Sequence, residues 1–184
     1  MKFQKYMAVG ILGLTMALGF SGCQSENQKN QDAYRKIGIN SMAEGDYDKA
    51  VKSFQKALDT SLGKIGAEEI DICYYKAAAQ FAKKDYDGAI ETYTSLIDYD
   101  KENANAYYLR GSVYLDTDKK DKAFKDYKNA VKYAGREYEI YEGIYENLTN
   151  KGETEEAKNY LKKHWTSSQR MVQIMRSRDM CTIS

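Results

Sequence analysis

The chain has 184 residues, with 28 Lys and Arg against 27 Asp and Glu, 17 Tyr, no Pro and one His. A net charge near zero gives no global field to attract nucleic acid or to steer an acidic substrate, so neither is expected as a partner. Abundant charge of both signs without proline suits long solvated helices, and the tyrosines supply amphipathic surface for cores or contacts. The first element is an address. Lys2 and Lys5 precede an apolar run from Met7 to Phe20. That run is shorter than the about 20 apolar residues of a membrane-spanning helix. A basic start, a short apolar middle and small residues at the end predict a secretory signal over residues 1–22.

The signal ends in Phe20-Ser21-Gly22-Cys23, which resembles the lipobox of bacterial lipoproteins, with Phe20 in place of the usual leucine. The resemblance implies cleavage before Cys23 and a diacylglycerol on its thiol, each buried methylene contributing about 0.8 kcal/mol to anchoring. It also implies a site on the extracytoplasmic side of the cell membrane or outer membrane. An ordinary cleaved signal with a chance cysteine is the alternative. The polar stretch from Gln24 to Asp32 has too few apolar residues to pack, so residues 23–30 are predicted to be the lipidated cysteine and a flexible tether. Of the remaining cysteines, Cys73 and Cys181 could pair in an oxidising compartment, but the apolar helical register of Cys73 favours a small buried thiol.

From here the chain repeats itself. Gly45-Asp46-Tyr47-Asp48-Lys49-Ala50 is echoed by Lys84-Asp85-Tyr86-Asp87-Gly88-Ala89, then by the stretches ending at Ala123 and Ala157. Ala89 to Ala123 and Ala123 to Ala157 are each 34 residues, whereas Ala50 to Ala89 is five longer, so an insertion is expected at about Ile65 to Glu69. Four residues after each alanine stand Phe54, Tyr93, Tyr127 and Leu161; twelve before stand Gly38, Ala77, Gly111 and Tyr145; seven after stand Ala57, Leu96, Ala130 and His164. Tyr47, Ala50, Phe54 and Ala57 fall on one helical face, and the small residues mark places where two helix backbones must approach. Gly45 followed by Asp46 reads as a helix stop and the next helix's cap.

The 34-residue period with a large residue, a small residue, an alanine, an aromatic and a further alanine resembles the tetratricopeptide repeat. The resemblance covers about residues 31–171, as units near 31–64, 70–103, 104–137 and 138–171, the last degenerate through Tyr145 and His164. It implies an all-α fold, a right-handed superhelical stack of helix-turn-helix hairpins or α-solenoid. One hairpin cannot bury its own apolar face, so three or more are needed.

After Lys163 the pattern breaks, in a segment holding the chain's single His and single Trp, His164 and Trp165, with Arg170, Arg176 and Arg178. Reading the codons one base earlier forces an aspartate where Thr166 stands, a glycine where Val172 stands and a valine where Cys181 stands. It also permits an alanine in place of His164. Residues 172–184 are therefore expected to be an atypical tail arising from a one-base deletion near codon 164. The alternatives are a divergent native tail and a basic anion-binding segment.

No catalytic residues, cofactor or metal are assigned. There is one His and no paired-cysteine motif, so no set has metal-ligand spacing. Gly63-Lys64-Ile65 lacks the glycine spacing of a phosphate loop. Carboxylates such as Glu142 and Glu146 stand four apart on a helix, a pattern of solvent-facing charge. By the resemblance, the first helix of each unit lines a concave groove, whose places fall on Arg35, Ile39 and Met42; on Tyr74, Ala78 and Phe81; on Tyr108, Ser112 and Leu115; and on Glu142, Glu146 and Thr149. Arg35, Tyr74, Phe81, Tyr108, Leu115 and Glu142 are the expected peptide-binding residues, with the aromatics as anchors. The groove should begin at Arg35 and end acidic; the clamp of Lys, Arg and Asn used by chaperone-tail-binding members is not expected. The function expected is a lipid-anchored scaffold that binds other envelope proteins or peptides and is not an enzyme. The alternatives are a structural subunit of an envelope assembly or secretion machine acting through its convex face, and a truncated non-functional product.

Overall fold

The computed structural model describes residues 26–61, 63, 65–135 and 137–158. The signal, Cys23, Leu161, His164, the arginine-bearing tail and Cys181 lie outside the described residues. Seven helices follow one another: α1 (Glu26–Glu44), α2 (Tyr47–Thr60), α3 (Ala67–Ala82), α4 (Tyr86–Tyr99), α5 (Ala104–Asp116), α6 (Lys120–Ala134) and α7 (Tyr138–Asn150). Residues 154–158 begin another. Among the described residues there is no strand, in keeping with the all-α expectation.

Each hairpin is made by the same turn. Gly45, Lys84, Asp118 and Gly152 all take positive φ, at 81°, 67°, 57° and 80°. In each turn the N–H of the next residue donates back five positions: Asp46 to Ser41, Asp85 to Gln80, Lys119 to Tyr114 and Glu153 to Leu148, at 2.8–2.9 Å. The positive-φ residue's own N–H donates three back, as Gly45 does to Met42 at 3.1 Å. This pair of bonds satisfies the last carbonyls of one helix while reversing the chain. The Asp46 side chain then accepts from the Lys49 N–H at 3.0 Å and Asp85 from Gly88 at 3.1 Å. The stop-and-cap reading of Gly45-Asp46 is thus what the turn does.

Within a hairpin the small and large residues of the repeat meet. A Cβ on Gly38 would lie 2.5 Å from the Phe54 ring, and one on Gly111 would lie 2.8 Å from the Tyr127 ring. Phe54, Tyr93 and Tyr127 are at most 2% exposed, and Ala50, Ala89, Ala123 and Ala157 are fully buried. Burial of each ring contributes about 1.5–3 kcal/mol. In the fourth hairpin Tyr145 occupies the small place and is itself buried.

The apolar cores straddle hairpins. Ala50, Phe54 and Ala57 of the first pack with Ile72, Tyr75 and Ala79 of the second. Ala77, Ala89 and Tyr93 of the second pack with Ala106 and Val113 of the third. Tyr108, Tyr127 and Ala130 of the third pack with Ile140, Ile144 and Leu148 of the fourth. The packing order is α1 on α2, α2 on α3, and so on to α7, with α5 also touching α7 and α1 touching α3. That order is a solenoid, each unit completed by the next.

One expectation is corrected and another is given its form. Residues 26–30, expected in the tether, are the exposed first turns of α1, and Gln31 is only 5% exposed. A helix can run over so polar a stretch because α1 beyond it is anchored by packing. The five-residue insertion was expected at about Ile65 to Glu69. It is divided between the turn before α3 and an earlier start of α3, which runs 16 residues against 13 for α5. The Gly66 N–H donates to Glu69 Oε2 at 2.8 Å, closing a cap that lets the helix start there.

Candidate functional site: the row of first helices

α1, α3, α5 and α7 are the first helices of the four hairpins and form one row. The first turns of α3 bring carboxylates to α1. Gln31 Nε2 donates to Glu69 Oε1 at 2.7 Å, and Arg35 Nε donates to Asp71 Oδ2 at 2.9 Å. The Arg35 guanidinium also lies 5.3 Å from the centre of the Tyr75 ring, a cation–π distance. Beside it, burial together with a hydrogen bond and the charge of Asp32 raises the Glu68 carboxyl to about 7. At the start of the row, where Arg35 was expected, the arginine is paired with Asp71 and set among acids.

The expected anchors are distributed differently from the expectation. Tyr74 is half-buried, and its hydroxyl donates to Asn103 Oδ1 at 2.6 Å, tying α3 to the cap of α5. Burial pushes that hydroxyl up to about 12, against the pull of Asn103 and Asn105. Tyr108 is 8% exposed and Leu115 2%. A Cβ on Gly143 would collide with the Tyr108 hydroxyl, so the side chain of α5 fills a slot that α7 leaves open. Tyr108 and Leu115 are thus interior residues between hairpins and not groove-facing anchors. Phe81 is half-buried, packing edge-on to Tyr86 at 5.6 Å between centroids. Glu142 is half-buried on α7 beside Glu146.

Two kinds of accessible side chain bear on binding along the row. Ile39, Met42, Phe81 and Leu109 are half-buried apolar side chains resting on the cores. Asp32, Glu68 and Asp71 at one end and Glu142 and Glu146 at the other are half-buried acids. Between them, Asn147 Nδ2 donates to Ser112 Oγ at 2.7 Å and to the Tyr127 hydroxyl at 3.3 Å, a polar network below the surface. The sequence reading missed Leu109, which lies one residue past the register place taken by Tyr108. It missed the Asp32–Glu68–Asp71 group because Glu68 lies in the inserted residues, outside the repeat's numbering, and Asp32 and Asp71 are not at the places the resemblance assigns to the groove.

A structural polar tie joins the first helix of the third hairpin to the second helices on either side. Arg110 of α5 donates to both oxygens of Asp126 on α6 at 2.7 and 2.8 Å and to Thr94 of α4 at 2.9 Å. Asp126 is 3% exposed. Among the described residues no three His, Cys, Asp or Glu side chains are grouped to hold a metal, and no helix is long and apolar enough to cross a membrane.

No curated protein sequence matches the chain. Among solved structures, MamA is similar at 24% identity over 78% of this chain and 81% of that one, with a TM-score of 0.59. The Arabidopsis OM64 TPR domain is similar at 17% identity over 67% and 98%, with a TM-score of 0.55. The first TPR of Spaghetti (RPAP3), bound to the HSP90 peptide SRMEEVD, is similar at 18% identity over 70% and 98%, with a TM-score of 0.54. These show the fold. Three family profiles match the sequence itself, described as TPR repeat over residues 77–118 and as tetratricopeptide repeat over 104–136 and 35–93. Together they span residues 35–136, more than half of the chain, and the chain is a tetratricopeptide-repeat protein.

Proposed function

We propose that the protein is a lipid-anchored scaffold of the cell envelope that binds a segment of another protein along its row of first helices. The observation that carries the binding reading is the accessible surface of that row. Ile39, Met42, Phe81 and Leu109 offer half-buried apolar contacts while the surrounding side chains are already spent on packing. Partly exposed apolar side chains on a rigid scaffold are where a partner gains most from excluding water. The similarity to a repeat domain solved with a bound peptide is in keeping with this use of the row. Anchoring rests on the lipobox resemblance at Cys23, close to the first residue of α1.

Two measurements test it. Peptides from an envelope proteome are screened against the chain from Ser25 onward; Ile39→Ser with Met42→Ser is expected to weaken the peptides found at least tenfold, and Lys125→Glu on α6 to leave them unchanged. The reverse pattern would transfer binding to the outer face of the second helices. Metabolic labelling with radioactive palmitate should mark the wild-type chain in bacteria and not a Cys23→Ser variant; equal labelling would remove the anchor.

A further inference from the structure

Each later hairpin has one side covered by the hairpin before it. The place held by Ile37 in the first hairpin falls on Lys76, Arg110 and Ile144 in the others. Lys76 Nζ reaches back to Gln55 Oε1 at 2.7 Å, Arg110 reaches back to Thr94, and Ile144 is fully buried. Among the described residues α1 packs on α2 and α3, and Ile37 is left 41% exposed. It lines an open cleft of about 430 Å³ with Tyr34 of α1 and with Lys49, Lys52 and Lys56 of α2. The three lysines are exposed and, at spacings of three and four, share one stripe of α2. Lys56 Nζ lies 5.6 Å from the centre of the Tyr34 ring. Both acids of the cleft are engaged elsewhere. Asp46 caps α2 by accepting from the Lys49 N–H at 3.0 Å, and Asp48 accepts from Lys83 Nζ at 3.0 Å. No carboxylate pairs with Lys49, Lys52 or Lys56 among the described residues.

We propose that this end of the stack lies on an anionic bilayer, the three lysines at the headgroup phosphates and Ile37 between them at the edge of the acyl region. Charge argues for that partner. Lysines are point cations on flexible stems, suited to an array of phosphates of no fixed geometry, and an apolar side chain among them is what an interfacial surface presents. Place argues for it too, and here the inference rests on the reading of Cys23 as the lipid anchor. Glu26, Asn30, Ala33 and Ile37 form one exposed stripe along α1, at spacings of four, three and four. The stripe covers about 16 Å of helix, and only Gln24 and Ser25 separate its first residue from Cys23. A lipid on Cys23 therefore holds at the bilayer the side of α1 that carries the cleft. Each later hairpin then stands one layer further out, and the row of first helices runs away from the membrane, open along its length to a partner.

Lysine footprinting of the full chain tests this. The chain is mixed with phosphatidylcholine vesicles, with or without phosphatidylglycerol, and treated with an amine-acetylating reagent, each lysine being followed by mass spectrometry. Acetylation of Lys49, Lys52 and Lys56 should be about fivefold slower with phosphatidylglycerol, and added salt should speed it again. Lys125 and Lys128 of the third hairpin should react alike on both. Ile37→Glu should remove most of the protection while leaving the circular dichroism of the helices unchanged, which separates lost docking from lost fold. Equal rates at the three lysines on the two kinds of vesicle overturn the inference. Protection that appears without vesicles and grows with protein concentration also overturns it, and gives this end to a second copy of the chain. Absent palmitate labelling of Cys23 with the lysines still protected would remove the anchor and leave the docked end; labelling without protection would do the reverse.

Discussion

At Glu68 one carboxyl senses its neighbours. Burial and the adjacent Asp32 raise it to about 7, with Glu69 adding to and Arg35 opposing the shift. A folded-state value above the unfolded one means that the folded chain holds the proton more tightly. The associated stability is present below the ordinary glutamate range and is lost as pH rises toward 7. Glu68→Gln is therefore expected to raise the urea midpoint at pH 8, with the gain shrinking to nothing below about pH 4.5. A pH-independent difference would place its cause outside this carboxyl pair. Lys84 makes a second residue-scale case. It holds a positive φ that costs a side-chain-bearing residue about 1–2 kcal/mol, where the first and fourth hairpins use Gly45 and Gly152. Lys84→Gly should stabilise by about 0.5–1 kcal/mol once the flexibility of glycine in the unfolded chain is included; an unchanged melting temperature would show that the strain is absorbed elsewhere.

At the scale of elements, the helices are joined by apolar surface that no hairpin completes alone, and a few buried polar ties fix how neighbours sit. Arg110 and Asp126 are the clearest such tie, linking α4, α5 and α6. Removing one partner leaves a charge buried without compensation. Arg110→Met is expected to cost about 3–5 kcal/mol, and Arg110→Met with Asp126→Leu to recover most of it, read by denaturant unfolding. If the double variant is as unstable as the single, packing around the guanidinium and not its charge is what the site supplies. Much at this scale was legible in advance. The small residues at Gly38 and Gly111, the rings at Phe54 and Tyr127 and the buried alanines stand where the repeat places them. The form of the insertion was less legible, because a count of residues locates extra length without saying whether a loop or a helix absorbs it. Here the cap formed by Glu69 on Gly66 made helix the better use of those residues.

Over the whole molecule, a solenoid has only neighbour contacts, so stability is expected to vary along the stack. α4 and α5 are packed on both sides, whereas α1 packs chiefly on α2. Hydrogen exchange should be slowest in α4 and α5 and fastest in α1, with the first turns from Glu26 exchanging at nearly unprotected rates; uniform protection would show a stack that opens only as one unit. Sequence alone determined the period, the turns and the alternation of small and large residues. Each is set by neighbours close along the chain and is reproduced in every unit, so spacing in sequence becomes spacing in space. Which side chains of the row face a partner was decided only by tertiary structure. Tyr108 is buried because Gly143, thirty-five residues later, leaves room for its hydroxyl, and Arg35 is neutralised because the next unit sets Asp71 beside it. Register assigns a residue to a face; the side chain that the neighbouring unit places against it decides whether that face stays open.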